Sequence, residues 1–171
     1  MKSLRAIVLA VTLAIAPPLP WPQSDTSHTS AKVAAQPVDD QTQVRQVVEE
    51  FYKAFNSDRF DRAVEFTTDD WNHITPLGSR TRGRTAVLQQ LTQVHKTFLK
   101  GVTETIEEID IRFATPEVAV ATVASRATSF TTPDGVRREN PHQIRTFVLT
   151  RRNGRWLIMQ DHATYTTPAA R

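Results

Sequence analysis

Hydrophobic side chains recur every three or four residues along three stretches in the first part of the chain. This spacing predicts amphipathic helices over residues 40–56, 58–66 and 85–99, each with one apolar side facing a core. A short strand is predicted over residues 71–75, because an Asp-Asp pair marks a turn just before it. Three helices are therefore expected ahead of the main sheet.

From Gly101 onward, apolar and polar residues alternate with a period of two. Turn sequences of the types Thr-Pro, Pro-Asp-Gly and Asn-Gly divide this part into strands that join as a meander. Both faces of residues 118–123 are apolar, so we expect helices to cover one face and a partner subunit or another cover to shield the other. The order of elements predicts an α+β fold, a cone-shaped curved antiparallel sheet wrapped around three N-terminal helices. The strands are expected over residues 102–113, 117–130, 143–151 and 155–164.

The N-terminal segment has the pattern of an export signal. Two basic residues precede an uninterrupted apolar run over residues 6–16, which is too short for a membrane span. Residues 17–39 are rich in Pro, Ser, Thr and Gln, which is typical of a flexible tether. We therefore predict a signal peptide and linker over residues 1–35 and a folded domain over 39–171. The protein is expected to be secreted or periplasmic, with no stable membrane span after processing; an uncleaved anchor is the alternative.

The composition indicates a single domain without a resident cofactor. The chain has 171 residues and no cysteine, which excludes disulfides, thiolate metal ligands and a cysteine nucleophile. Its 21 basic and 18 acidic residues leave a net charge of +3, which is little support for a nucleic-acid partner. No phosphate loop or dinucleotide fingerprint is present, and the histidines lack the spacing of metal ligands. We predict no cofactor, no metal and no nucleic acid.

The stretch DDWNHITPLGSRTRGR, residues 69–84, holds the first candidate for acid–base chemistry. His73 shares a strand face with Trp71 and Thr75, so it can reach a cavity beside the strand. Imidazole is the side chain that titrates near neutral pH, which suits it to accept and return a proton. The alternative is a partly exposed histidine on an edge strand.

Three arginines close the same stretch, at the entrance of the third predicted helix. Arg80, Arg82 and Arg84 could clamp an anion there, because the N–H groups of a helix N terminus attract negative charge. The alternative is that they are solvated or pair with acidic residues such as Glu107 and Glu108. The sequence leaves both roles open.

Two further histidines lie on predicted core-facing positions. His95 is on the apolar side of the third helix, where it could contact a ligand or only bond to a neighbouring strand. In the last strand, strict alternation places Trp156, Ile158, Gln160 and His162 on one face and Leu157, Met159 and Asp161 on the other. A proton relay would therefore need a pairing with His73 or His95 from another element. The alternative for His162 is a structural hydrogen bond near the strand end.

The stretch at residues 69–84 and the ending GRWLIMQDHAT together resemble the nuclear transport factor 2-like superfamily. Within it, the closest resemblance is to the SnoaL-like and SgcJ/EcaC-type small proteins, which are related to steroid isomerases and polyketide cyclases. It covers residues 40–167 and depends most on Pro-x-Gly followed by Gly-Arg, and on the Trp-x-Ile to His ending. The resemblance implies a cystatin-like α+β roll with a hydrophobic cone-shaped pocket and frequent homodimers through the sheet.

The resemblance does not imply one reaction. Steroid isomerases of this superfamily carry a general-base aspartate just before the Pro-x-Gly turn, where this sequence has Thr75, so that mechanism should be absent. The leading hypothesis is an exported domain that binds a small apolar, aromatic or carbonyl-containing molecule, with catalysis optional. The alternatives are an isomerase, cyclase or hydratase using His73, His95 or His162 as general base, and a non-catalytic dimerisation module. Ligand contacts are expected from Trp71, Thr75, Phe98, Phe130, Asn140, Arg145, Phe147 and Gln160.

Overall fold

The first helix, α1, spans Val38–Asn56 in the computed structural model, which describes residues 38–166. Its inward side chains, such as Val44 and Phe51, have no exposed surface, so the predicted amphipathic helix is confirmed. None of the helices in the described part of the chain is long and apolar enough to cross a membrane. The signal peptide and linker predicted over residues 1–35 lie outside the described residues.

The second predicted helix, over residues 58–66, is wrong. Only a 3-10 turn, Ala63–Glu65, forms there, and the next helix is α2 at Arg84–Lys96. Asp58 adopts a left-handed φ of 53°, which interrupts the helical backbone just after α1. Val64, expected to face the core, is 54% exposed. A tight turn is sufficient to bury residues at intervals of three, and the residues buried in this way are Phe60, Ala63 and Phe66.

Eight strands are present among the described residues. They are β1 (Thr67–Ile74), β2 (Arg80–Arg82), β3 (Glu104–Thr115), β4 (Val118–Ala127), β5 (Phe130–Thr131), β6 (Arg137–Arg138), β7 (His142–Arg152) and β8 (Arg155–Tyr165). Six of them form one curved sheet in the order β2-β1-β8-β7-β4-β3, and β5 pairs with β6 in a separate hairpin. The four long strands therefore lie where the alternation predicted them, within a few residues at each end.

The sheet is mixed, so the prediction of a purely antiparallel sheet is wrong at one pair. β1 runs antiparallel to β2 but parallel to β8. Hairpin connections impose antiparallel pairing on strands that are neighbours in sequence, whereas β1 and β8 are separated by most of the domain and carry no such constraint. This parallel pairing matters for the site, because it places His73 of β1 directly beside Asp161 of β8.

Bulges in the strand pairing bend the sheet and change which residues face the core. Register shifts interrupt β3 against β4 and β7 against β8, and each extra residue locally bends its strand. In β8 the extra residue is Met159. Beyond it the alternation shifts by one position, so Asp161 is buried on the core side and His162 is exposed. The predicted face assignment of Gln160, Asp161 and His162 is therefore wrong.

The core fills the space between the helices and the concave face of the sheet. Phe51 of α1 meets Trp71 of β1 and Phe147 of β7 edge to face, with ring centroids 6.2 and 5.1 Å away. The opposite face of the sheet also carries apolar side chains, as the two-sided pattern predicted. These are only partly buried, or exposed in the case of Ile144, and they include Val118, Val120 and Val148.

Candidate functional site

A cavity of about 230 Å³ lies between α2, the end of β1 and the concave face of the sheet. Pockets for drug-sized ligands usually measure roughly 300–1,000 Å³. This cavity is slightly smaller than that range, so it suits a small molecule. Its walls are mostly apolar, and the side chains that provide them include Phe55, Leu91, Val94, Phe98, Leu99, Val102 and Phe130.

His73 lines this cavity from β1, and Asp161 of the neighbouring strand holds it. The Nδ1 atom of His73 lies 2.9 Å from Oδ2 and 3.0 Å from Oδ1 of Asp161. With the Nδ1 proton donated to the carboxylate, the lone pair of the neutral ring is on Nε2. No described residue is hydrogen-bonded to Nε2. The pair therefore presents an oriented base beside an apolar space.

Asp161 is fully buried, and three side chains hold its carboxylate. Trp71 Nε1 donates to Oδ1 at 2.8 Å and Arg145 Nη1 donates to Oδ2 at 2.7 Å, in addition to the contact with His73. Burial acts most strongly and opposes ionisation, but the contacts with His73 and Arg145 outweigh it and lower the pKa of Asp161. Asp161 is therefore ionised at neutral pH. Its carboxylate accepts a hydrogen bond from Nδ1 of His73 and so favours the tautomer that carries the proton on Nδ1.

Arg145 connects Asp161 to a second buried carboxylate, that of Glu104. Its Nη2 atom lies 3.6 Å from Glu104 Oε1, and its guanidinium lies over the ring of Phe51 at 5.0 Å. Burial would lower the pKa of Arg145, but the charges of Glu104 and Asp161 raise it above its ordinary value. Arg145 is thus charged, and both of its terminal nitrogens face carboxylates. No three His, Asp or Glu side chains within residues 38–166 are arranged to hold a metal ion.

Two glutamines add unpaired polar groups to the cavity wall. Gln143 of β7 is 3% exposed and Gln90 belongs to α2, and both line the cavity. The Nε2 atom of Gln143 and the Oε1 atom of Gln90 are buried without a hydrogen-bond partner. Tyr165 at the end of β8 also lines the cavity, and burial raises the pKa of its hydroxyl. The apolar space therefore contains several polar groups.

Part of the predicted site is assembled at this cavity. Trp71 and Phe147 are fully buried behind it: Trp71 donates to Asp161, and Phe147 packs against Phe51 in the core. Their expected role as direct ligand contacts is therefore not found. The predicted residues that do line the cavity are His73, Thr75, Phe98, Phe130 and Arg145.

His95 is buried but is not among the residues that line the cavity, so the ligand contact considered for it is not present. Its Nδ1 atom is hydrogen-bonded to Asp58, and its ring packs edge-on against Phe55 and Phe60 at centroid distances of 4.4 and 5.6 Å. Part of the apolar side of α2 lines the cavity, and another part packs against α1. His95 lies on the part that packs against α1. It is a core histidine with an aspartate partner.

Three other predicted contacts also lie away from the cavity. His162 is exposed, because the bulge at Met159 turns it outward. Gln160 is outward for the same reason, and it accepts a hydrogen bond from Asn72 Nδ2 at 2.6 Å. Asn140 is exposed in the turn before β7, with a positive φ of 39° that favours asparagine.

The arginines at the entrance of α2 are mostly occupied locally. Arg84 donates to the Thr67 carbonyl at 2.9 Å and pairs with Asp69, whereas Arg80 is exposed and donates to a neighbouring asparagine. None of the three arginines lines the cavity. Glu107 and Glu108, the expected partners, are not paired with them; Glu107 instead contacts Arg126 and His142.

The residues of the site that the sequence prediction omitted include Gln90, Tyr165, Glu104, Gln143 and Asp161. Glu104 precedes Ile106 by two positions, so period-two alternation already placed an acidic residue on the inner face of β3. Gln143 was detectable in the same way, because it precedes Arg145 on β7. Asp161 carried no such signal, since its inward position depends on the bulge in β8.

Solved structures share this fold at low sequence identity. A protein with a cystatin-like fold from Caulobacter vibrioides is 24% identical, with a TM-score of 0.73 over 76% of this chain and 92% of that one. A nuclear transport factor 2-like protein of unknown function from Pseudomonas putida is 14% identical, with a TM-score of 0.62 over 77% and 89% of the two chains. A hexachlorocyclohexane dehydrochlorinase is 12% identical, with a TM-score of 0.64 over 77% and 90%.

The predicted α+β fold is confirmed by these structures. At such identities the solved structures establish the fold alone. The sequence has no match among curated proteins. The family model for a SnoaL-like domain, however, matches residues 44–168, which is most of the chain. The chain therefore belongs to the SnoaL-like domain family.

Proposed function

We propose that the protein is a cofactor-independent acid–base enzyme in which His73 removes a proton from a small, mostly apolar molecule. The observation that carries this proposal is the His73–Asp161 pair, with Nδ1 bonded to the carboxylate at 2.9 Å and Nε2 beside the cavity without a hydrogen-bond partner among residues 38–166. A carboxylate that orients an imidazole and sets its tautomer is the usual support of a histidine general base.

Ligand binding without catalysis, the leading hypothesis from the sequence, explains this pair less well. A binding pocket for an apolar molecule needs shape and apolar walls, which Phe98, Leu91 and Phe130 supply. It does not need a buried carboxylate such as Asp161, because removing charges from water is unfavourable even when they are paired. The buried pair is better explained as machinery for proton transfer.

The chemistry that this base supports begins with a carbon–hydrogen bond. If the substrate carries a carbonyl, Nε2 of His73 takes a proton from the neighbouring carbon, and the bonding electrons move to the oxygen to form an enolate. Return of the proton to another carbon completes an isomerisation, and loss of a leaving group completes an elimination. The hexachlorocyclohexane dehydrochlorinase named above, by its name, catalyses an elimination, which supports proton abstraction as a use of this fold.

Hydrogen–deuterium exchange tests this proposal without knowledge of the natural substrate. We expect the purified protein in heavy water to exchange the protons next to the carbonyl of α-tetralone, a small bicyclic ketone, faster than the buffer alone. Loss of the corresponding proton NMR signals gives the rate. Binding of the ketone with no accelerated exchange would contradict the enzyme proposal and support a ligand-binding protein.

We also propose that two copies of the chain associate through the outer face of the sheet and form the homodimer expected from the sequence. Val120 and Val148 are paired neighbours on that face and Ile144 is 36% exposed, so association would remove apolar surface from water. Val120→Lys is expected to convert a dimer into a monomer in sedimentation velocity. Val64→Lys, at an exposed position off the sheet, is the control and should sediment as the wild type does. A monomeric wild type would reject this interface.

Export to the periplasm or the exterior remains a proposal that rests on the pattern of residues 1–16 alone. The mass of the mature protein recovered from its host tests it, because removal of a signal peptide shortens the N terminus. An intact N terminus in the cytoplasmic fraction would oppose export.

A further inference from the structure

We propose that Gln143 and Gln90 are the specificity-determining residues of the cavity, and that they select an uncharged ligand with a hydrogen-bonding group for each amide. The same cavity rejects carboxylates. This selectivity rests on the proposed function only in assuming that a small molecule enters the cavity, and it does not depend on whether His73 transfers a proton.

Gln143 brings a buried amide nitrogen without a partner to the cavity wall. Its side chain is 3% exposed and lines the cavity, yet its Nε2 atom has no hydrogen-bond partner among the described residues. A buried amide without a partner destabilises the folded protein, so nearly all buried polar groups are paired. An amide that faces a cavity obtains its partner when a ligand enters. A carbonyl or hydroxyl oxygen of the ligand is the matching acceptor.

Gln90 supplies the complementary group from the opposite wall. It lies on α2, whereas Gln143 lies on β7, and its buried Oε1 atom also lacks a partner. An amide carries a donor and an acceptor at nearly equal distances from the chain and can rotate to present either one. The two residues together therefore match a ligand with an acceptor and a donor, each engaging one amide.

The charges around the cavity explain the exclusion of carboxylates. Arg145 is the cation that lines the cavity, and its terminal nitrogens face Asp161 at 2.7 Å and Glu104 at 3.6 Å. The positive charge of Arg145 is thus already opposed by the ionised Asp161 and by the carboxyl group of Glu104. The Nε atom of Arg145 also lacks a partner among the described residues, but a carboxylate ligand that approached it would lie beside the carboxyl groups of Asp161 and Glu104, which would repel it.

The test compares three probes of similar shape by calorimetric titration: tetralin, α-tetralone and tetralin carboxylate. We expect the ketone to bind about 2–10-fold more tightly than the hydrocarbon, the ratio given by one net hydrogen bond, and the carboxylate to bind more weakly than both. Gln143→Met and Gln90→Met retain side-chain length without the amide. At least one is expected to abolish the preference for the ketone while tetralin still binds.

The matched control is Gln93→Met, an exposed glutamine of the same helix, which should leave all three affinities unchanged. Because the buried Nε2 atom of Gln143 has no partner among the described residues, Gln143→Met is also expected to leave the thermal unfolding midpoint unchanged or to raise it. Equal binding of tetralin and ketone to the wild type, tighter binding of the carboxylate, or no binding of the ketone would overturn the inference. A failure of His73 to catalyse exchange would not, so the two proposals fail separately.

Discussion

Replacing His73 by glutamine is expected to slow the deuteration of α-tetralone by about 10²–10⁴-fold, the usual contribution of one positioned acid–base group. Glutamine preserves a polar side chain that can still contact Asp161, but it has no nitrogen able to accept a proton at neutral pH. The affinity for the ketone should stay close to that of the wild type, because the apolar side chains of the cavity wall are unchanged. Proton NMR in heavy water measures the rate, and calorimetric titration measures the affinity.

Two other histidines provide controls for this substitution. His95 is also buried and paired with an aspartate, but it lies outside the cavity, whereas His162 is exposed. His95→Gln and His162→Gln should therefore retain the exchange rate of the wild type. An undiminished rate in His73→Gln, or an equal loss in His95→Gln at equal folded fraction, would remove His73 from its proposed role.

The second large effect concerns the buried charges. Arg145→Met is expected to lower the free energy of unfolding by about 3–5 kcal/mol, the usual result of removing one partner from a buried ion pair. The reason is that Asp161 and Glu104 would remain almost fully buried, at 0% and 6% exposure, without their shared cation. Equilibrium unfolding in urea, followed by tryptophan fluorescence, measures the change.

Arg126→Met is the matched control for the loss of an arginine. Arg126 pairs with Glu107 at 3.2 Å, but its side chain is 52% exposed, so its replacement should cost less than about 1 kcal/mol. Adding Glu104→Gln to Arg145→Met should restore part of the stability, because it removes one of the two uncompensated carboxylates. Similar losses for Arg145→Met and Arg126→Met would show that the buried network contributes little.

The sequence by itself determined the elements and the family. The spacing of Val44 and Phe51 located α1, and the period of two located the four long strands, because both patterns arise from backbone geometry within one element. The same local information placed His73 on an inward strand face. It could not distinguish a full second helix from the 3-10 turn at Ala63–Glu65, since both bury residues at intervals of three.

Only the tertiary structure decided the chemistry of the site. His73 and Asp161 are 88 residues apart in the chain and meet because β1 pairs in parallel with β8. Asp161 faces inward because of the bulge at Met159. The bulge depends on how β8 pairs with β7, so the alternation of apolar and polar residues within β8 does not reveal it. The unpaired amide of Gln143 is likewise visible only when every neighbouring atom is in place. Elements follow from short-range periodicity, whereas the partner of a buried polar group is a property of the assembled fold.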